Sequence, residues 1–312
     1  MMTDDVSWSG TTECAGKVRV CAVIVTYNIG EAIHKCFDSI RGQVSHIIIV
    51  DNGSDDRTRR ELRKLTSAGY TELILNDRNE GIARALNQGV QWALGEGFQW
   101  FLTIDHDSEA TAGLVDRLVE AYATLERRGF HKVGLVTANP FDRNGQIFLE
   151  GYPPRENDER LIELERCSSS GCLISRQTFD SVGFFDEKLF VYYVDEDFCF
   201  RLRQNGLKMF LCPPAVLIHS EGQKTKQRLL GRMTIYDNYG SEARYYIARN
   251  AVHMFKRYWA RRQWRELYLL LRRFTHDLLF VLACDRARFR KARFMFRGVW
   301  EGIRGKYGRM EP

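Results

Sequence analysis

Residues 101–110 read FLTIDHDSEA. A largely apolar run delivers two aspartates, Asp105 and Asp107, to one point with only His106 between them. Along an extended chain alternate side chains fall on the same side, so the two carboxylates converge. Like charges at close range repel unless a cation sits between them or one carboxyl holds a proton. Either answer is chemistry; a solvated turn after a strand is the plain alternative. Reading FLTI as a buried strand with a functional carboxyl end sets the fold class, because the same pattern recurs upstream.

VRVCAVIVTYN (18–28), HIIIVDNGS (46–54) and TELILN (71–76) have the composition of buried strands, and QWFLTIDHD (99–107) makes the fourth. Between them, EAIHKCFDSI (31–40), DDRTRRELRKL (55–65) and IARALNQGVQWAL (82–94) carry helical spacing. Strand–helix units recurring roughly every 25 residues predict an α/β fold, a Rossmann-like and mostly parallel sheet flanked by helices. Such sheets bind ligands beyond the carboxyl ends of their strands. Thr26, Asn28, Asp51, Asn52, Asp105 and Asp107 all fall at those ends. Downstream, 140–166 is irregular and reads as a mobile segment near the site. Further strands are expected at 167–176 and 207–213, with a helix over 196–206.

The chain has 312 residues, 44% hydrophobic and 28% charged, values of a globular protein with a packed core. That length accommodates one large α/β domain with an appendage, or two modest domains. The first 17 residues hold no apolar run, so no signal peptide is expected and they read as a flexible N-terminus. Eight cysteines without a CxxC pair suggest buried thiols in a reducing cytosol. The net charge of +6 is uneven: residues 244–312 hold 18 Lys and Arg against 5 Asp and Glu, a net of +13, which leaves −7 for residues 1–243. From about 240 onward the chain is expected to be a helical, basic and aromatic extension, 241–312, following a domain over 18–240. LYLLL (267–271) and LLFVLAC (278–284) are interrupted by charges and fall short of the ~20 residues of a spanning helix. The extension reads either as a cap packed on the domain or as an amphipathic surface for anionic lipid. No nucleic-acid-binding motif accompanies its charge, and no nucleic-acid partner is expected.

Three other stretches carry candidate chemistry. In YYVDEDFCFR (192–201) Asp195, Glu196 and Asp197 open a helix. Acids suit the positive end of the helix dipole, yet capping accounts for one acid better than for three, which leaves a general base as the competing role. His219 in VLIHS (216–220) is either a core histidine or a ligand completing a divalent site with Asp107. In NEGIARALNQG (79–89) Gly81 precedes a helix whose N-terminus suits a phosphate, with Arg84 in the first turn; a plain tight turn is the alternative.

Taken in order, VTYN (25–28), VDNGSDD (50–56), NEGIARALNQG (79–89), DHDS (105–108), SSGCLISR with VGFFDE (169–187), DEDFCFRLRQNG (195–206) and IHS (218–220) resemble the family 2 glycosyltransferases of GT-A fold over roughly residues 18–225. Within that family the text is similar to the rhamnosyltransferase branch, in NEGIARALNQG and in YYIARN (245–250), although His106 stands where the branch often has Gln. The resemblance implies that 18–240 is the catalytic domain of an inverting enzyme. Such an enzyme moves a sugar, L-rhamnose from dTDP-L-rhamnose by preference, onto a glycan or lipid-linked acceptor in cell-surface polysaccharide synthesis. It implies a divalent cation, Mg²⁺ or Mn²⁺, held by Asp107 with Asp105 and His219. Thr26, Tyr27, Asn28, Asp51, Asn52, Gly81, Arg84 and Asp105 would bind the donor nucleotide, Asp51 by accepting the pyrimidine ring N–H. Asp195 would be the catalytic base, with Asp197 as second choice. Gly171, Cys172 and Glu196 would form the wall between donor and acceptor. The expected location is cytoplasmic, peripheral on the inner face of the membrane. Competing readings are a haloacid-dehalogenase-like phosphatase, whose acid pair sits near the start of its fold, and a non-catalytic sugar-nucleotide scaffold. A dinucleotide oxidoreductase is disfavoured because no GxGxxG follows the first strand.

Overall fold

The computed structural model describes residues 18–66, 69–144, 146–219, 224–229, 232–237, 239–285 and 287–311, with backbone alone for 224–229 and 232–237. The expectation for residues 1–17 lies outside them. Strand β1 (Val20–Thr26) is followed by α1 (Ile33–Ile40), β2 (His46–Asp51), α2 (Asp56–Leu65), β3 (Thr71–Leu75), α3 (Ile82–Gly95) and β4 (Trp100–Asp105). These are the strand–helix units legible in the sequence, and β1 pairs in parallel with both β2 and β4. The alternation of each strand explains the layers. Val20, Ala22 and Ile24 of β1, with Ile47 and Ile49 of β2, face one core with α1 and α2. Cys21, Val23 and Val25, with Ile48 and Val50, face the other with α3. Burying an aliphatic side chain stabilises by about 1.5–3 kcal/mol, so a strand apolar on both faces is committed to the middle of the sheet.

The second half departs from simple repetition. A two-residue strand β5 (Glu109–Ala110) and α4 (Leu114–Arg127) lead to β6 (Val133–Asp142), short strands β7 (Ile147–Phe148) and β8 (Ile162–Leu164), and β9 (Cys172–Ser175). Then come α5 (Arg176–Val182), α6 (Val194–Gln204) and β10 (Lys208–His219). The sheet order is β3-β2-β1-β4-β9-β6-β10-β5, with β7 beside β6 and β8 beside β10. β9 runs antiparallel to β4 and β6. The predicted strand over 167–176 is therefore shorter, and its first residues form a bend that reaches the carboxyl end of β4. The strand expected at 207–213 runs on to His219, with a register shift between Cys212 and Val216. Strands β11 (Lys224–Leu229) and β12 (Arg232–Asp237) form a separate antiparallel pair that was not anticipated.

The C-terminal residues form helices α7 (Ser241–Ala260), α8 (Trp264–Cys284) and α9 (Arg288–Ile303). α9 lies directly on α7: a Cβ at Gly298 would stand 2.3 Å from the Tyr245 carbonyl oxygen, and one at Gly302 2.8 Å from that of Arg249. α7 is tied to the sheet domain by buried polar groups. The Asn250 amide donates to the carbonyls of Leu189 (2.7 Å), Val191 (2.7 Å) and Tyr192 (3.0 Å), and Arg249 donates to Leu189 (3.1 Å). These bonds hold a segment in which Phe190, Tyr192 and Tyr193 have φ of 62°, 63° and 61°. Left-handed backbone at such residues costs on the order of 1–3 kcal/mol each and persists only where the surroundings fix it. One face of the extension thus packs on the domain, as the cap reading expects.

Candidate active site

The strand order reverses at β1, with β2 on one side and β4 on the other, and this switch point opens a crevice at the carboxyl ends. A cleft of about 500 Å³ lies there, walled by Thr26 and Tyr27 at the end of β1, Asn52 after β2, Gly81 and Ile82 at α3, and Asp105, His106 and Asp107 at the end of β4. Its far side comes from Phe190–Tyr192 and from the extension, through Glu242, Tyr246 and Arg309.

Sheet register explains how His219 reaches the acid pair. β5 runs antiparallel to β10, with Glu109 opposite Ile218 and Ala110 opposite Leu217, so the next residue of β10 arrives beside Ser108. Ser108 Oγ and His219 Nδ1 share a hydrogen bond of 3.0 Å, and His219 Nδ1 lies 3.7 Å from Asp107 Oδ1. Asp105, Asp107 and His219 each present one ligand atom, all within 4.8 Å of one another. The backbone N–H of Asp105 donates to Ser170 Oγ (2.9 Å), which also shares a hydrogen bond with Ser108 Oγ (3.2 Å). Burial lifts the Asp105 carboxyl above its ordinary pKa, and the charge of Asp107 lifts it further. A carboxylate pair under that strain, with an imidazole beside it, fits a divalent cation. The oxygens suit Mg²⁺ or Mn²⁺ alike, and the nitrogen favours the softer Mn²⁺.

Asp195 stands at the start of α6, behind the bend 168–171, in a small cavity with Ser168, Ser169 and Cys172. Burial raises its pKa to about 6, Ser169 lowers it through side-chain and backbone hydrogen bonds, and the charge of Asp105 raises it. The base candidate and the acid pair are therefore electrostatic neighbours across the Ser169–Ser170 bend. The other two acids of the trio leave the site. Asp197 is fully buried and locked between Arg201 (2.9 Å) and Arg257, so its role as second-choice base is corrected to an ion pair that joins α6 to α7. Glu196 pairs with Arg273 of α8 at 2.7 Å and does not form the expected wall.

Several donor-site expectations also change. Asp51 stands behind the cleft, fully buried, accepting from Thr26 Oγ1 (3.3 Å) and the Ser54 N–H (3.1 Å), with Arg59 Nε at 3.4 Å. Asn52 is the β2 residue that lines the cleft. Asn28, at φ 52°, caps the adjoining turn, its side chain accepting from the Asp55 N–H at 2.9 Å. Gly81 does line the cleft, but its lack of a side chain is required by a different neighbour. A Cβ there would stand 2.6 Å from the Phe190 carbonyl oxygen, which already accepts the Ile82 N–H at 2.7 Å. Arg84 faces a neighbouring cavity and pairs with Glu80 at 3.7 Å, away from the acid pair. Gly171, at φ 81°, is buried and bridges strands, donating to Thr103 and accepting from Ala138. Cys172 does border Asp195. Ser169, Ser170 and Tyr246 stand in the quoted stretches SSGCLISR and YYIARN without a role assigned to them there, and no motif marks Arg309.

Comparison with known proteins agrees with this geometry. Residues 21–183 match the family described as glycosyl transferase family 2. The chain is 26% identical over 306 residues to the dTDP-rhamnosyl transferase RfbF of Shigella flexneri, covering 93% of this chain and 97% of that one. It is 24% identical over 214 residues to the low-salt glycan biosynthesis hexosyltransferase Agl10 of Haloferax volcanii, covering 64% and 66%. Among solved structures it superposes on a mannosyltransferase of Pyrobaculum calidifontis, determined with GDP-mannose and Mn²⁺, with a TM-score of 0.57 at 17% identity, covering 93% and 88%.

Proposed function

The chain belongs to glycosyl transferase family 2 and has the GT-A fold, and from that premise we propose that it transfers L-rhamnose from dTDP-L-rhamnose to a hydroxyl of a glycan or lipid-linked acceptor. The observation that carries this reading is the convergence of Asp105, Asp107 and His219 beside the cleft at the strand-order reversal. The family match sets aside the phosphatase alternative. The choice of donor rests on the relative named a dTDP-rhamnosyl transferase, which aligns along 93% of this chain.

In this reading Thr26, Tyr27 and Asn52 receive the nucleoside, and Asp105, Asp107 and His219 hold Mg²⁺ or Mn²⁺. When bound, the cation supplies Lewis-acid stabilisation of the charge on the departing diphosphate. Asp195 accepts the proton of the acceptor hydroxyl as that oxygen attacks the anomeric carbon. A single displacement with the base opposite the leaving group inverts the anomeric centre. Calorimetric titration with thymidine-, uridine- and guanosine-diphosphate sugars, with and without Mn²⁺, tests the donor. dTDP-L-rhamnose is expected to bind most tightly and only with the cation. Tighter binding of a uridine or guanosine sugar overturns the donor, and binding of none overturns the reading.

The outer face of the extension is proposed to lie on an anionic membrane surface. On α8, Trp264, Tyr268 and Leu271 are 56%, 63% and 48% exposed at helical spacing; on α9, Phe289, Phe296 and Trp300 are 78%, 61% and 56% exposed. Exposed Arg272, Arg290 and Arg293 lie among them. Aromatic groups with interleaved cations suit an interface with acidic lipid. Among the described residues no helix is long and apolar enough to cross a membrane. The protein is expected to float with phosphatidylglycerol vesicles at low salt and to lose that binding on Phe289→Asp with Phe296→Asp. Equal recovery with neutral vesicles refutes the electrostatic part.

A further inference from the structure

We propose that Arg309, in the stretch after α9, is a diphosphate-binding residue of the donor site, so that the extension completes the cleft of the sheet domain. This rests on the glycosyltransferase reading above. Of the described residues that wall the cleft, Arg309 is the one carrying a permanent positive charge, and it faces Asp105, Asp107 and Glu242 across the same space. It also borders the adjoining cavity, where Arg84 was placed.

The backbone around Arg309 is fixed on both sides. Gly308 donates its N–H to the Lys188 carbonyl (3.0 Å), and its own carbonyl accepts from Arg249. The Met310 N–H donates to Tyr246 Oη (2.8 Å), and Arg297 donates to the Glu311 carbonyl (2.6 Å). Met310 packs against the cluster of Phe190, Tyr245 and Tyr246. Residues 308–311 lie outside helix and strand, and anchoring to this degree in such a stretch points to a placed side chain. The guanidinium makes no hydrogen bond or ion pair within the described residues beyond a charge interaction with Glu80, whose carboxylate is held by Arg78 at 2.8 Å. A guanidinium matches two phosphate oxygens at once, and its charge opposes the repulsion that Asp105 and Asp107 exert on a diphosphate. The electrostatic role expected of Arg84 in the sequence thus falls to a residue 225 positions later.

The test is calorimetry on the full-length protein with Mn²⁺, comparing thymidine diphosphate with thymidine. Arg309→Ala is expected to weaken thymidine diphosphate by roughly 10- to 100-fold, as for loss of a charge-assisted pair, with thymidine binding unchanged. Arg309→Lys, which keeps the charge without the fork, should recover part of the loss. Thymidine diphosphate binding unchanged in Arg309→Ala overturns the proposal, as does equal weakening of both ligands, the mark of a purely structural role. If the unaltered protein binds no thymidine, uridine or guanosine diphosphate, the glycosyltransferase reading itself fails, which is a different result from an indifferent Arg309 variant.

Discussion

Asp195→Asn is expected to lower kcat by on the order of 10²- to 10⁴-fold, the usual contribution of a general base, while nucleoside diphosphate affinity stays within about twofold. The substitution keeps shape and the capacity to meet Ser169 but removes the proton acceptor. Burial places the Asp195 pKa at about 6, so in the unaltered enzyme kcat/KM should rise as pH increases through about 6, where the carboxylate forms. The same shift has a stability consequence whose sign is opposite to that of a salt-bridged acid. A carboxyl raised from 3.8 to about 6 contributes stability that is present below about pH 4 and is lost as pH rises through about 6. Keeping it ionised at pH 8 costs the fold on the order of 3 kcal/mol. Asp195→Asn should therefore melt no lower than the unaltered protein at pH 8, and the two should converge below about pH 4. A variant that melts as well as the parent yet turns over at a near-normal rate removes Asp195 from the role of base.

The contrast with Asp197 explains where sequence reading succeeded and where it stopped. Strand–helix alternation is written locally, because a buried strand must be apolar on both faces, and α1, α2, α3 and β1 to β4 were legible for that reason. The acid pair and His219 were legible as residue types at strand ends. Which of Asp195, Glu196 and Asp197 stays out of an ion pair with the extension was not, since it depends on where α7 and α8 place Arg257 and Arg273. Both arginines lie in a part of the chain whose charge is evident and whose packing is not. The antiparallel course of β9 was hidden for a similar reason: its Cys172–Ser175 text is as apolar as a parallel strand, and only pairing with β4 sets its direction. Gly81 illustrates a third limit, a glycine whose position suits a phosphate but whose need for bareness comes from Phe190, more than a hundred residues away. The Asn250 contacts to 189–192 belong to the same class of fact. They make the left-handed backbone ahead of Asp195 dependent on the extension, so the base candidate is positioned from outside the strand–helix text.

Asp107→Ala is the substitution expected to separate cation binding from everything else in the site. The side chain of Asp107 is 42% exposed, and His219, 3.7 Å away, keeps its hydrogen bond to Ser108 without it, so removal of Asp107 leaves no buried group unpaired and should shift the melting temperature little. Its loss takes one of the two carboxylates from the cluster, and the remaining Asp105 and His219 offer a weaker, less charged pair of ligands. Turnover should fall by on the order of 10²- to 10³-fold, comparable with the loss of a principal charge-stabilising group. Exhaustive chelation of the unaltered enzyme should abolish transfer, and Mn²⁺ should restore it there but not in Asp107→Ala. Direct titration of Mn²⁺ by electron paramagnetic resonance gives a readout independent of turnover, and should show affinity reduced in the variant and retained in Asp195→Asn. Transfer that survives chelation, or Mn²⁺ affinity untouched by the loss of Asp107, would mean that the two aspartates of DHDS tolerate each other by sharing a proton, the other state open to a carboxylate pair.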